Sequence, residues 1–231
     1  MNKFDLSIVV PLYNEEKNVK DVADSIVKNL SKSKINYELI LVNNGSVDST
    51  PKIIEQLTKR NKRIRKVDVI KNQGYGWGII NGLNVSKGKY LGYIDGDGQF
   101  DSENIIKAYT KMKKNNLDFC KGRRLVREDG IKRNIASLLY NLLLNLMFVV
   151  NINDVNAKPK LMSMKCYNDL NLKSKDWFID TEIMIKVKKK NYKYGEIPLE
   201  FKKRKAGRSN VKLKIISEFL KNLLYFRIKG I

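Results

Sequence analysis

Histidine is absent from this chain of 231 residues, and the sequence contains only 2 cysteines. Without an imidazole, neither a Ser-His-Asp hydrolase nor a His-ligated zinc site can be built. Cys120 and Cys166 show neither a CxxC nor a metal-ligand spacing, which favours a reducing, cytoplasmic setting. No apolar run reaches the ~20 residues of a membrane-spanning helix. We expect no signal peptide, because residues 1–6 lack the basic and apolar segments of one.

Acidic residues are also scarce. The chain has 24 Asp and Glu against 46 Lys and Arg, a formal net charge of +22. Residues 121–231 carry 26 basic and 10 acidic side chains, so most of the excess lies in the second half. This imbalance predicts an anionic partner, for which nucleic acid, a phosphorylated ligand and an anionic bilayer are candidates. A compositional bias toward Lys, Asn and Ile is the alternative explanation.

The first half alternates short β-rich runs with amphipathic stretches. Strands are predicted at residues 7–11, 37–42, 64–70 and 89–94, and helices at about 15–30, 48–60 and 77–85. This alternation predicts an α/β fold with a Rossmann-like, mostly parallel sheet flanked by helices. Sheets of this kind bind ligands at the carboxyl ends of their strands, and each predicted strand here ends in a polar cluster.

The second half shows a different pattern but no repeat and no flexible linker, so we predict one domain over residues 1–231. A helix is expected near 178–190 and a strand near 194–198. Residues 135–150 are apolar around most of a helix except for the seam Ser137, Asn141 and Asn145, and residues 212–229 form a basic amphipathic helix. Both helices suit a membrane interface or burial against the core.

Two carboxylates separated by one glycine, Asp95-Gly96-Asp97, follow the fourth predicted strand. Both can turn toward a divalent cation, because the glycine lets the backbone bend. Polar clusters also follow the first three strands, at residues 11–15, 43–50 and 72–76. Four such clusters at four successive strand ends indicate a shared ligand site.

Together with the charge, these clusters resemble the nucleotide-sugar-binding domain of family 2 glycosyltransferases with the GT-A fold. The resemblance extends to the dolichol-phosphate mannose synthase group and its polyprenyl-phosphate sugar transferase relatives. It implies that Asp95, Asp97 and Gln99 hold Mg²⁺ or Mn²⁺. The nucleotide sugar would be bound by Pro11, Tyr13, Glu15, Asn43, Asn44, Ser46, Gly74, Asp95 and Gln99.

The chain departs from that family at the turn implied to read the base. Asn43 and Asn44 stand where the family usually has Asp-Asp or Glu-Asn. An amide can accept through its carbonyl and can also donate, so UDP and GDP sugars both remain open. For Gly74, Gly76 and Gly78, turn chemistry and close approach of a ligand are both open explanations.

The second half carries candidates for an acceptor phosphate. Arg133 and Ser137 lie one helical turn apart, a spacing suited to gripping a phosphate near a helix start. By resemblance, Arg124, Arg133 and Ser137 contact the acceptor phosphate, residues 154–160 shape its pocket, and Arg204 lies in a loop that closes over the diphosphate. Arg208 departs from the family, which commonly has an acid there.

Asp180 and Glu182 begin the helix predicted near 178–190. Acidic residues are favoured at a helix N-terminus by the helix dipole alone. The functional alternative is that one of them contacts the sugar or acts as general base for a hydroxyl acceptor.

The sequence therefore predicts a metal-dependent, inverting glycosyltransferase that moves a sugar from UDP or GDP to a polyprenyl phosphate. Residues 1–120 would bind the nucleotide sugar and residues 121–231 would face the acceptor and the membrane. The predicted catalytic residues are Asp97, Arg133, Arg204 and Asp180.

The expected location is the cytoplasmic membrane face, against an anionic surface, with no nucleic acid and with a membrane protein as a possible partner. The alternatives are transfer to a sugar hydroxyl with Asp180 or Glu182 as base, and a non-catalytic basic module that binds nucleic acid or a membrane surface. The sugar and the oligomeric state are left open.

Overall fold

The first two strands are buried almost throughout, as expected of parallel strands covered on both faces by helices. The computed structural model describes residues 3–99, 101–125, 131–199 and 221–228. The strands are β1 (Phe4–Leu12), β2 (Tyr37–Asn44), β3 (Ile64–Val69), β4 (Gly88–Tyr93), β5 (Phe119–Arg124), β6 (Lys160–Ser163) and β7 (Tyr194–Leu199). The helices are α1 (Val19–Lys32), α2 (Thr50–Arg60), α3 (Tyr75–Asn84), α4 (Glu103–Asn115), α5 (Ile131–Phe148), α6 (Met164–Leu170) and α7 (Ile179–Lys189). Residues 221–228 are also helical.

These seven strands form one sheet in the order β3-β2-β1-β4-β6-β5-β7. Only β6 runs antiparallel to its neighbours, β4 and β5. The chain moves outward from β1 through β2 to β3 and then returns to place β4 on the other side of β1. Ligands bind open α/β sheets at such a switch point, outside the carboxyl ends of the strands. The crevice is therefore expected beyond the ends of β1 and β4.

Side chains alternate between two cores, one on each face of the sheet. Ile8 and Val10 of β1 pack with α1, α2 and α4, whereas Val9 packs with α3, α6, α7 and residues 221–228. In α1 the buried residues fall at helical spacing, at Val19, Val22, Ala23, Ile26 and Leu30. The layered, mostly parallel sheet predicted from the sequence is confirmed.

The four predicted strands of the first half match β1 to β4, and the helix and strand predicted near 178–190 and 194–198 match α7 and β7. The prediction missed α4, β5, β6 and α6. Of the helix predicted at 212–229, residues 212–220 and residue 229 lie outside the described residues.

Gly82 lets α3 lie directly on the sheet. A Cβ added there would lie 2.3 Å from Val9 Cγ1 and 2.9 Å from Val42 Cγ2. We expect Gly82→Ala to lower the free energy of unfolding by about 1–3 kcal/mol, because overpacking outweighs the better helix propensity of alanine. Urea unfolding followed by circular dichroism measures this. Val9→Ala should relieve the closest contact, so the double variant should lose less free energy of unfolding than the sum of the two single losses. A Gly82→Ala variant as stable as the parent would contradict the close packing of α3 on the sheet.

Candidate functional site

The carboxyl ends of β1 and β2 carry two loops that hydrogen-bond to each other. Asn14 N donates to Ser46 Oγ at 3.1 Å, and Glu16 N donates to Asp48 Oδ2 at 3.2 Å. Burial raises the pKa of the Asp48 carboxyl, but hydrogen bonds from Thr50 and from the Glu16 backbone outweigh it and hold that pKa below its ordinary value. The two loops thus form one cross-linked wall of the crevice.

Within this wall the predicted nucleotide-binding residues differ in exposure. Pro11 is buried at the end of β1, whereas Tyr13 is exposed at the rim. The Glu15 backbone N–H donates to Thr50 Oγ1 at 2.9 Å. Tyr13 is therefore the member of the first cluster with a ring open to a ligand.

The two asparagines at the end of β2 are held by protein groups. Asn43 Nδ2 donates to Asp68 Oδ1 at 2.8 Å, and Asn43 Oδ1 accepts from Ser46 N at 3.0 Å. Asn44 Nδ2 donates to Gly74 O at 3.0 Å, while Asn44 Oδ1 is buried and has no hydrogen-bond partner among the described residues. A buried acceptor without a partner is costly, so a hydrogen bond donated to Asn44 Oδ1 would be stabilising.

Gly74 and Gly76 are required by protein packing. Gly74 has a φ of 119°, and a Cβ there would lie 2.4 Å from Lys175 O. A Cβ on Gly76 would lie 2.4 Å from Ser174 O, and Gly76 N donates to Asp176 O at 3.2 Å. These glycines therefore admit the backbone of residues 174–176 and so join the start of α3 to the segment before α7.

Tyr75, between those glycines, contacts the first carboxylate of the Asp-Gly-Asp turn. Its hydroxyl donates to Asp95 Oδ1, and its ring stacks on Trp177 with the centroids 4.2 Å apart. Burial and the nearby Asp95 raise the pKa of the Tyr75 hydroxyl well above its ordinary value, so it remains a donor at neutral pH. Asp95 is thereby fixed from the side of α3.

A buried ionic cluster lies behind Asp95. Asp180 is 1% exposed and accepts from Tyr93 Oη at 2.6 Å, from Lys158 Nζ at 2.8 Å and from Lys160 Nζ. Burial raises the pKa of Asp180, but the two ammonium groups outweigh it and hold that pKa below its ordinary value. Burial lowers the pKa of Lys160 to about 8 despite Asp180. Lys158 Nζ also lies 3.6 Å from Asp95 Oδ2, so the cluster reaches the candidate metal site.

Neither acidic residue of α7 is open to an acceptor hydroxyl. Glu182 is fully buried and accepts from the backbone of Lys173 and Ser174 and from Lys186 Nζ at 2.6 Å. Asp180 is covered as well and serves two lysines. A carboxylate bound by several protein donors is poorly placed to take a proton from a substrate, so the geometry does not favour either as a base.

Arg124, predicted to bind the acceptor phosphate, is engaged by Asp154. Arg124 Nη2 lies 2.5 Å from Asp154 Oδ1, and Arg124 Nε lies 3.0 Å from Asp154 Oδ2, a bidentate pair. Arg133 and Ser137 lie in the first turns of α5, where only the helix course is described, and Arg204 and Arg208 lie outside the described residues.

The Asp-Gly-Asp turn fits a magnesium or manganese site. Asp95 is 21% exposed, and Asp97 Oδ1 accepts from Gln99 N at 3.1 Å, which folds the turn around the second carboxylate. The parts of the chain that the structure describes contain no group of three His, Cys, Asp or Glu side chains able to hold a metal. Two carboxylates suffice for Mg²⁺, which usually keeps several waters and takes other ligands from substrate phosphates.

Residues 7–184 match the family model described as glycosyl transferase family 2. The chain belongs to this family. This glycosyltransferase is 27% identical over 215 residues to a dolichyl-phosphate β-glucosyltransferase of Dictyostelium discoideum, covering 85% of this chain and 66% of that protein. It is 28% identical over 163 residues to a dodecaprenyl-phosphate galacturonate synthase of Rhizobium johnstonii, covering 70% of this chain and 48% of that protein. The chain thus spans from 48% to 66% of these relatives' lengths.

Among solved structures, the glycosyltransferase is similar to glucosyl-3-phosphoglycerate synthase of Mycobacterium tuberculosis, crystallised with Mn²⁺, UDP and glucosyl-3-phosphoglycerate. The TM-score is 0.74 at 18% identity, covering 97% of this chain and 80% of that chain. At this identity the likeness concerns the fold, which is the GT-A fold.

Helix α5 of the glycosyltransferase divides into an anchoring face and an exposed apolar face. Asn145 makes a reciprocal pair with Ile152, donating from Nδ2 to its carbonyl at 3.0 Å and accepting from its N–H at 2.9 Å. Four apolar side chains of the helix instead face outward, Leu138, Leu139, Leu142 and Leu146, and the exposed Val149 follows the helix directly. In the described ranges, no helix has both the length and the hydropathy needed to cross a bilayer.

Sequence reasoning missed four contributors to the site, Tyr75, Lys158, Lys160 and Trp177. Tyr75 lies in the polar cluster at residues 72–76, both lysines lie in the segment 154–160, and Trp177 directly precedes the helix predicted near 178–190, but their partners are far away along the chain. Lys158 is 63 positions from Asp95, and Tyr75 is 20 positions from it. Pairs of this kind leave no local spacing signal.

Proposed function

We propose that this glycosyltransferase moves a sugar from a nucleotide diphosphate to a polyprenyl phosphate, with inversion at the anomeric carbon. The observation that carries the proposal is the Asp-Gly-Asp turn at the β1/β4 switch point, with Asp95 braced by Tyr75 and Lys158. The names of the two relatives above, which refer to dolichyl phosphate and to dodecaprenyl phosphate, support the acceptor class.

On the donor side, the β1 and β2 loops would line the nucleotide. Tyr13 offers an exposed ring, and Asn44 Oδ1 is a buried acceptor with no partner among the described residues. Asp95, Asp97 and Gln99 would hold Mg²⁺ or Mn²⁺, which when bound neutralises charge on the departing diphosphate. Arg204 would add positive charge to the same group.

On the acceptor side, Asp180 and Glu182 are buried and therefore poorly placed to act as a general base, which supports a phosphate nucleophile over a sugar hydroxyl. A phosphate monoester has a second pKa of about 6 and is largely ionised at neutral pH, so it needs no general base. Arg133, Ser137 and Arg124 would hold this phosphate, with Arg124 shared with Asp154. We take residues 1–231 to act as one domain, because strands from both halves of the chain lie in one sheet.

The transfer assay uses a panel of radiolabelled UDP and GDP sugars, added polyprenyl phosphate, and Mg²⁺ or Mn²⁺. Label moving into organic solvent with one donor, and abolished by a chelator, is the expected result. Metal-dependent transfer only to a soluble hydroxyl acceptor would overturn the polyprenyl-phosphate assignment. Salt-sensitive binding of nucleic acid without any sugar transfer would overturn the proposed transfer activity.

The acceptor's chemistry also requires access to a membrane, and the exposed face of α5 supports a peripheral position. We propose that this face lies in the interface of an anionic, cytoplasmic leaflet, where the net charge of +22 adds attraction.

Leu142→Gln/Leu146→Gln should weaken binding to vesicles containing anionic lipid by about tenfold or more. These side chains are 54% and 70% exposed, and burying each one in the lipid contributes about 1.5–3 kcal/mol to the free energy of membrane binding. Vesicle co-sedimentation measures the change. Glutamine leaves the charge unaltered, so Ile70→Gln, at a fully exposed position outside α5, is the matched control. Equal binding by the double variant and the parent would argue against this face.

A further inference from the structure

Lys158 brings a buried positive charge to the edge of the candidate metal site. The residue is 4% exposed, and its Nζ lies 2.8 Å from Asp180 Oδ2 and 3.6 Å from Asp95 Oδ2. The ammonium also lies 5.2 Å from the centroid of the Tyr75 ring, and the hydroxyl of that ring donates to Asp95. Lys158 is thus fixed by groups that cannot move apart without opening the core.

The charges in this cluster do not balance without Asp95. Asp180 is one carboxylate that pairs with two ammonium groups, those of Lys158 and Lys160. The second ammonium is compensated by Asp95, because the Lys158 side chain lies between the two carboxylates. Asp95 therefore already has one cationic neighbour before any metal binds.

We propose that Lys158 is a positioning residue that makes metal binding depend on the nucleotide diphosphate. This inference rests on the proposed function, since it takes Asp95 and Asp97 as the metal-binding carboxylates. A fixed ammonium beside Asp95 repels a divalent cation at the same carboxylate and keeps the affinity of the empty site for metal low. A diphosphate brings negative charge that both cations attract, so metal and nucleotide strengthen each other's binding by the same factor.

The experiment measures Mn²⁺ affinity from the electron paramagnetic resonance signal of free Mn²⁺, with and without UDP or GDP, so its readout is independent of catalysis. The test variant is Lys158→Met. The matched control is Lys160→Met, which removes a buried ammonium from the same carboxylate but has no described contact with Asp95. Each variant leaves one ammonium for Asp180, so both are expected to fold, which circular dichroism checks.

Lys158→Met should bind Mn²⁺ alone at least about tenfold more tightly than the parent, and the gain in Mn²⁺ affinity on adding nucleotide should shrink by a similar factor. Lys160→Met should change the affinity for Mn²⁺ alone by less than about threefold. A purely structural role would weaken Mn²⁺ binding or leave it unchanged, and either result for Lys158→Met would overturn the inference.

Asp97→Asn separates this inference from the function on which it rests. If Asp97→Asn binds Mn²⁺ with nucleotide as well as the parent does, the metal site itself is misassigned. If Asp97→Asn loses Mn²⁺ while Lys158→Met matches the parent, the metal site holds and only the role of Lys158 fails.

Discussion

Asp97→Asn is expected to lower the rate of sugar transfer to polyprenyl phosphate by about a thousandfold or more. Asp97 is one of two carboxylates in the described turn, and an amide binds Mg²⁺ or Mn²⁺ more weakly because it carries no charge. Metal stabilisation of the departing diphosphate contributes several kcal/mol. A loss of about 1.4 kcal/mol of transition-state stabilisation lowers the rate tenfold, so a loss of several kcal/mol lowers it by about three to four factors of ten. Initial rates in the radiolabel assay, at saturating Mg²⁺ or Mn²⁺, measure the change.

The fold should survive this substitution. The asparagine oxygen can still accept the hydrogen bond from Gln99 N that Asp97 Oδ1 accepts at 3.1 Å. The unfolding midpoint should therefore match that of the parent. Asp24→Asn is the control, since Asp24 is a half-exposed surface carboxylate paired with Lys20 at 2.7 Å and should keep full activity. Activity within tenfold of the parent in Asp97→Asn would remove this carboxylate from the mechanism.

How far the sequence predicts this fold depends on where its polar residues lie. The strands β1 to β4 are apolar enough to be identified, and their polar ends mark the crevice because parallel strands bring their carboxyl ends to one edge. The strands β5 and β6 each bury a lysine, Lys121 and Lys160, so they lack the apolar pattern of a core strand. By contrast, α4 has an apolar stripe at helical spacing, a signal from which it could have been predicted.

The candidate site divides in the same way. The Asp-Gly-Asp turn is local, so spacing alone identifies it. The ion pairs from Lys158 to Asp95 and Asp180 join a strand-end turn, the segment before β6 and α7, which only the tertiary structure brings together. For the same reason, the sequence places Asp180 among the candidate catalytic residues without showing its partners, whereas the structure buries it against two lysines.

That assignment predicts a large loss of stability in Asp180→Asn. The substitution leaves Lys158 and Lys160 without their shared carboxylate inside the core, and breaking a buried pair typically costs about 3–5 kcal/mol. Urea unfolding at neutral pH measures the loss. Asp169→Asn is the control, because Asp169 pairs with Lys190 at 2.8 Å on the surface and should cost less than about 1 kcal/mol.

The double variant Asp180→Asn/Lys160→Met keeps the test informative even if the single variant fails to fold. It removes one of the two uncompensated ammonium groups, while Lys158 retains Asp95 at 3.6 Å, so part of the stability should return. A double variant less stable than Asp180→Asn alone would show that the lysines do not depend on Asp180 for compensation.

The pH dependence tests the electrostatic origin of the loss. Asp180 has its pKa lowered in the folded state, so it binds fewer protons there than in the unfolded chain. Its stabilisation is therefore complete above the unfolded pKa of about 4 and is lost as the pH falls through the lower folded value. The difference in unfolding free energy between parent and Asp180→Asn should shrink as the pH falls below about 4. A difference that did not change with acid would point to lost packing instead of lost charge.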